Sequence, residues 1–150
     1  MKRRGGFTLV ELLIVIMIIA ILAGMMLLAT GSATDSAEAT KVINDLRGAK
    51  SAALLYYADY MQWPSAAASN VTTSLEPYMD RSFDNARYTS VETTAELADG
   101  RQLIGFSALA NQAGGAGVRA KLTSKARESG LMTSAYAQYS GGNDIYMNMK

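Results

Sequence analysis

The chain of 150 residues contains no cysteine and no histidine, and only two prolines. Without cysteine there is no disulfide, no thiolate metal site and no cysteine nucleophile. Without histidine the commonest general base, the commonest transition-metal ligand and the Ser-His-Asp arrangement are all missing. Catalysis would need a Ser–Lys or carboxylate pair, and no motif singles one out. The composition therefore argues against an enzyme, and no catalytic residue or cofactor is assigned. Charge of one sign is scarce as well: 14 Lys+Arg oppose 13 Asp+Glu, for a net charge of +1. A dedicated nucleic-acid binder usually carries a strong basic excess. The sharpest scarcity is local. Between Phe7 and Thr30 the only ionisable side chain is Glu11.

What stands there instead is an apolar run, LLIVIMIIAILAGMMLLAT, from Leu12 to Thr30. As a helix, Phe7 to Thr30 covers roughly 35 Å, enough for a hydrocarbon core of about 30 Å. Lys2, Arg3 and Arg4 precede it immediately. Positive charge on that flank places the N-terminus in the cytoplasm and the remainder beyond the inner leaflet. A cleaved secretory signal fits less well, because such signals have a shorter apolar stretch and a small-residue cut site after it. An ordinary uncleaved anchor is the other bland reading.

The junction reads Lys2-Arg3-Arg4-Gly5-Gly6-Phe7-Thr8-Leu9-Val10-Glu11-Leu12. Two glycines without side chains form a peptide that an active site at the membrane face can extend and grip. In Lys2–Arg4, Gly6, Phe7, Thr8, Leu9, Glu11 and the following apolar run, the chain resembles type IV prepilins and the pseudopilins of type II secretion systems. The resemblance covers the first thirty residues strongly and the rest weakly. It implies that a prepilin peptidase cuts after Gly6 and that the new amine of Phe7 is methylated. Relatives often carry a proline at the position of Leu28, so the local unwinding attributed to that proline is in doubt here. Gly24 and Gly31 are weaker points of flexibility, each costing about 1 kcal/mol against alanine in a helix, or else small residues for close packing.

Glu11 is costly where it stands. An ionised acid near the centre of a spanning helix costs about 2.5–3.5 kcal/mol, and such residues usually have a partner. In the first helical turn the helix dipole alone favours a negative charge. The resemblance implies a further role, in which Glu11 of one subunit meets the Phe7 amine of a neighbour and fixes the stagger of packed helices. In low dielectric any other register leaves a charge buried without a partner. Removal of Met1–Gly6 leaves 11 bases against 13 acids, which strips the cytoplasmic tether as it exposes that amine.

Beyond Gly31 the helical signal continues in amphipathic form, with Thr34 or Asp35 as a cap if it restarts. Ile43, Leu46, Ala49, Ala53, Tyr57 and Tyr60 recur at steps of three and four and predict one buried stripe. The first helix is expected from about Thr8 to Gln62, stopped by Trp63-Pro64. A connector at Ser65–Thr73 and a brief helix at Leu75–Asp80 follow. Strands are expected at Arg87–Glu92 and Arg101–Leu109 around an Asp99-Gly100 turn. Asn111–Gly117 reads as a loop and Gly117–Ser129 as a helix stopped by Gly130. Met132–Ser140 and Asn143–Met149 predict a hairpin about Gly141-Gly142, with Ile145, Met147 and Met149 alternating against Tyr146 and Asn148. The expected division is 1–6 leader, 7–30 transmembrane half of the helix, 31–63 amphipathic half and 64–150 head. The fold class is α+β: a long N-terminal helix on a small antiparallel β-sheet, pilin-like.

Relatives often secure the C-terminal loop with a disulfide, and major pseudopilins with calcium. The disulfide is impossible here, and Asn143 and Asp144 offer few of the six to eight oxygens calcium usually takes, so no metal site is assigned. Charge in the head is uneven. Seven acids face two bases between Asp59 and Asp99, and six bases face two acids between Arg101 and Lys150. A solvated surface explains this simply, heterologous self-assembly explains it more sharply, and DNA contact through Arg119, Lys121, Lys125 and Arg127 ranks last.

The resemblance implies a structural subunit of a type IV pilus-like filament, stored in the inner membrane and then polymerised outside. A pseudopilin forming a periplasmic pseudopilus is the alternative; a membrane-tethered enzyme or a DNA-uptake pilin stands further back. The implied partners are further copies of the chain, the prepilin peptidase, pilus or secretion assembly machinery and the inner membrane.

Overall fold

A computed structural model describes residues 6–64, 71–84, 86–94, 101–111 and 113–149. The chain divides into two compact units, Met1–Thr34 and Asp35–Lys150. Helix α1, Leu9–Tyr60, runs for 52 residues and supplies residues to both. Helix α2 (Val71–Leu75), a 3-10 turn (Glu76–Tyr78), strands β1 (Tyr88–Thr93) and β2 (Leu103–Leu109), helix α3 (Ala116–Ser129) and strands β3 (Leu131–Met132) and β4 (Ile145–Asn148) follow. The Asp99-Gly100 turn and most of the expected connector lie outside the described residues.

In the first unit nothing covers the helix: residues 6–27 are exposed throughout. The backbone remains helical through Leu28 and Gly31, so the missing proline has left an unbroken run of helical residues there. No new cap forms at Thr34 or Asp35, both of which lie inside α1.

The second unit is an α+β head with one sheet in the order β1-β2-β4-β3, antiparallel at each pairing. Ala39, Val42, Ile43, Leu46, Ala49, Ala52 and Ala53 of α1 are buried against Ile104, Phe106, Ile145 and Met147 of the sheet and Val118, Leu122 and Ala126 of α3. The many alanines let the helix backbone approach closely. The buried stripe stops at Ala53, correcting the expectation for Tyr57 and Tyr60, which are 36% and 60% exposed. Tyr57 stacks on Trp63 instead, with ring centroids 4.5 Å apart. The helix ends at Tyr60, before Trp63-Pro64, where Met61 turns into the left-handed region at φ 53°.

Other elements depart in detail. The brief helix is displaced towards the N-terminus and splits into α2 and the 3-10 turn, with Pro77 in the latter's first turn. Helix α3 stops as expected at Gly130, whose φ of 67° favours glycine. The C-terminal hairpin is antiparallel, pairing Leu131 with Met147 and Met132 with Tyr146, but β3 is only two residues long. Tyr139 rather than a second strand organises the intervening loop: it is buried and its hydroxyl donates to the Gly142 carbonyl at 2.6 Å. The expected alternation in β4 holds, with Ile145, Met147 and Met149 in the core shared with α1 and Tyr146 outside it, but Tyr146 is buried as well. The reason lies across the pair at Gly105, where an added Cβ would collide with the Tyr146 ring and the Ile145 carbonyl.

Candidate processing and assembly site

Gly6, Phe7 and Thr8 precede α1 in non-helical conformation, and Phe7 is 87% exposed. An added Cβ at Gly6 meets nothing within 4 Å. A protease needs such an extended, accessible peptide.

Thr8 is the first residue with a structural task. Its carbonyl accepts the Leu12 amide at 3.3 Å, which opens the helical ladder. Its hydroxyl accepts the Glu11 amide at 3.2 Å and donates to Glu11 Oε2 at 2.7 Å. Its own amide donates to the same Oε2 at 2.8 Å. This is a reciprocal capping box, with threonine at the N-cap and glutamate three residues on, satisfying amides that the first turn leaves without partners. Reading the segment for charge alone passes over Thr8. The signal was present as T-x-x-E directly before an apolar run.

The site thus brings Gly6, Phe7 and Glu11 within two turns of chain, and it changes the standing of the acid. Glu11 is held by two donors of Thr8 within the chain. Beyond it, an 18-residue stretch of α1 has mean hydropathy 3.1 and none of it is buried within the chain. A helix apolar on all sides requires lipid or other helices around it.

In the head, acids of α1 hold the sheet. Glu38 pairs with Arg87, which also donates from Nε to Asp84 Oδ2 at 2.8 Å; the Glu38 and Arg87 side chains are only 11% and 16% exposed. Asp45 receives Arg81 at 2.5 Å and the Tyr88 hydroxyl at 2.8 Å. Burial, and then the Asp45 carboxylate, push the Tyr88 phenol well above its ordinary range. Burial, and then the charge of Glu92, push Tyr146 up to about 12. Asn143 and Asp144 are engaged within the head: Asn143 Oδ1 accepts Arg119, and Asp144 Oδ1 accepts the Ala108 amide at 2.8 Å.

Residues 1–27 match the family model described as the prokaryotic N-terminal methylation motif. The chain is 42% identical over 72 residues to a fimbrial protein of Neisseria meningitidis serogroup B, covering 47% of this chain and 42% of that protein. It is 44% identical over 59 residues to the type IV major pilin protein PilE1 of Neisseria gonorrhoeae, covering 39% and 36% respectively. It therefore spans less than half the length of these curated relatives. The structure of the major type IV pilin PilA1 from Clostridium difficile superposes with a TM-score of 0.52 at 18% identity, over 79% of this chain and 98% of that one. In its N-terminal segment the chain is similar to type IV pilins, and its fold is the pilin fold. The likeness to PilA1 speaks for the pilin fold alone, a long helix on a four-stranded antiparallel sheet.

Proposed function

We propose that this chain is a structural subunit of a type IV pilus-like filament. It is cut after Gly6 by a prepilin peptidase, methylated on the Phe7 amine, and held by residues 7–30 as a single-pass inner-membrane protein with its N-terminus in the cytoplasm. Assembly machinery then moves it into a fibre outside the membrane. The observation that carries this reading is an apolar helix, uncovered in its described N-terminal part, that begins with a capped acid just after Gly6 and Phe7. Such a surface is satisfied in lipid before assembly and by like helices after it.

Glu11 sets the register within this reading, by exchange rather than by rescue of a bare charge. The acid leaves Thr8, wholly or in part, for the methylated amine of a neighbour, gaining an opposite charge in a low-dielectric bundle. The intact mass of the cellular protein tests processing: it should lack Met1–Gly6 and carry one added methyl group. An intact N-terminus, or a cut near Ala33, overturns the assignment. Glu11→Ala should insert into the membrane normally yet enter fibres poorly, and normal fibre yield would remove the register role.

The pseudopilin reading uses the same N-terminal chemistry. The relatives named as fimbrial and as major pilins favour the pilus. Long surface fibres on producing cells support it, whereas a secretion defect without such fibres in a deletion strain supports the pseudopilus. DNA contact is the weaker use of the basic segment, because Lys125 donates to Thr40 and Arg119 to Asn143 within the head.

A further inference from the structure

The head carries unlike surfaces on two flanks of α1. On one flank, α1 and the loop at 78–84 enclose a groove of about 410 Å³, walled by Lys41, Asp45 and Gly48 of the helix and by Asp80, Arg81 and Asp84 of the loop. Its floor is open at Gly48, where an added Cβ meets nothing within 4 Å. Asp80 and Asp84 are exposed at its rim, while Arg81 lies across to Asp45 at 2.5 Å. The other flank belongs to α3, where Lys125 Nζ donates to Thr40 Oγ1 at 3.0 Å and Gly117 packs on the Asp35 carboxylate. At 3.6 residues per turn, the groove residues Gly48, Lys41 and Asp45 stand roughly 80–140° around the axis from Thr40. Over α3, Arg119, Lys121, Lys125 and Arg127 oppose Glu128 alone, and Ser124 and Arg127 are exposed.

We propose that this groove receives Lys121 and Arg127 of α3 from a second copy of the chain, Lys125 and Arg119 being engaged within their own head, an inference that rests on the filament reading. Asp80 at the rim and Arg127 on α3 are opposite in sign, which steers the contact and fixes its orientation. The volume admits a few long side chains rather than a whole helix, so α3 of the neighbour lies along the rim. Because groove and α3 occupy different flanks of one head, each contact leaves a fresh groove and a fresh α3 at its ends. That is a heterologous contact, which propagates into a filament instead of closing into a dimer.

The absence of native cysteine makes the test direct. The full chain carrying Gly48→Cys and Ser124→Cys is expressed in the producing cells, and sheared fibres are oxidised with copper phenanthroline. The expected result is a ladder of cross-linked dimers, trimers and longer species, with monomer from either single variant and no species beyond dimer when the two singles are co-expressed. Fibres that yield only monomer from the double variant overturn the proposal and leave the filament reading intact, since another surface or an assembly protein then faces the groove. No fibres from the unsubstituted, processed chain would instead overturn the filament reading and this contact with it. A charge exchange supplies the second measurement: Asp80→Lys and Arg127→Glu should each lower fibre yield several-fold, and their combination should restore it. Failure of that restoration also overturns the contact.

Discussion

Glu11 Oε2 accepts two hydrogen bonds from Thr8, from the backbone amide at 2.8 Å and from the hydroxyl at 2.7 Å. The acid of the apolar helix is thus built into the start of that helix. The two residues therefore act as one unit at the start of α1.

Thr8→Ala should therefore loosen the first turn by about 1 kcal/mol, the usual cost of losing a threonine N-cap. In the full chain in detergent micelles, amide exchange at Leu9 to Leu12 should quicken. Thr8→Ser should leave it close to the parent, because serine retains both the acceptor and the donor. Equal protection in the alanine and parent chains would show that the box does not hold the helix start.

The acids of α1 should differ sharply in their contribution to stability. Glu38→Ala leaves the nearly buried Arg87 with Asp84 as its remaining acid, and loss of a charged hydrogen-bond partner of this kind costs about 1.5–3 kcal/mol. Arg81 is 69% exposed, so Arg81→Ala should cost under about 1 kcal/mol. Thermal unfolding of the full chain in micelles orders the two. A larger shift for Arg81→Ala would refute this ranking.

Two glycines give a matched contrast. Gly105→Ala drives a methyl into the Tyr146 ring and the Ile145 carbonyl, and such overpacking costs about 1–3 kcal/mol or more. Gly48→Ala enters open space within a helix and should stabilise the monomer by up to about 1 kcal/mol. Denaturant midpoints of the two variants should move in opposite directions.

Alkali should unfold the head through its tyrosines. Tyr146 is raised to about 12 by burial and then by Glu92, and Tyr88 is raised by burial and then by Asp45. In the unfolded chain both titrate near ~10. Between those values the folded state holds protons that the unfolded state has lost, so stability is complete below about pH 10 and declines as pH rises through 12. Tyr146→Phe should flatten that decline, followed by near-ultraviolet circular dichroism. An unchanged slope would show that Tyr146 does not couple to folding.

The T-x-x-E cap and the apolar run after it were legible in the sequence by itself, because every relation there is local. Gly6, Phe7, Thr8 and Glu11 lie within one short segment, and an apolar run longer than a bilayer is thick needs no tertiary contact to be recognised. The period of α1 and the stop at Gly130 were legible for the same reason. Tertiary structure decided where the stripe on α1 ends, since only the extent of the sheet leaves Tyr57 and Tyr60 uncovered beyond Ala53. It also decided that Glu38 and Asp45, which read as ordinary polar positions of an amphipathic helix, would be taken up by Arg87, Arg81 and Tyr88 from more than thirty residues away. It buried Tyr146 over a glycine that the pattern of its own strand gave no means to anticipate. Local periodicity reports which face a residue occupies; only the packed neighbour fixes what that face meets, because contact partners are set by the fold's long-range pairing and not by spacing along the chain.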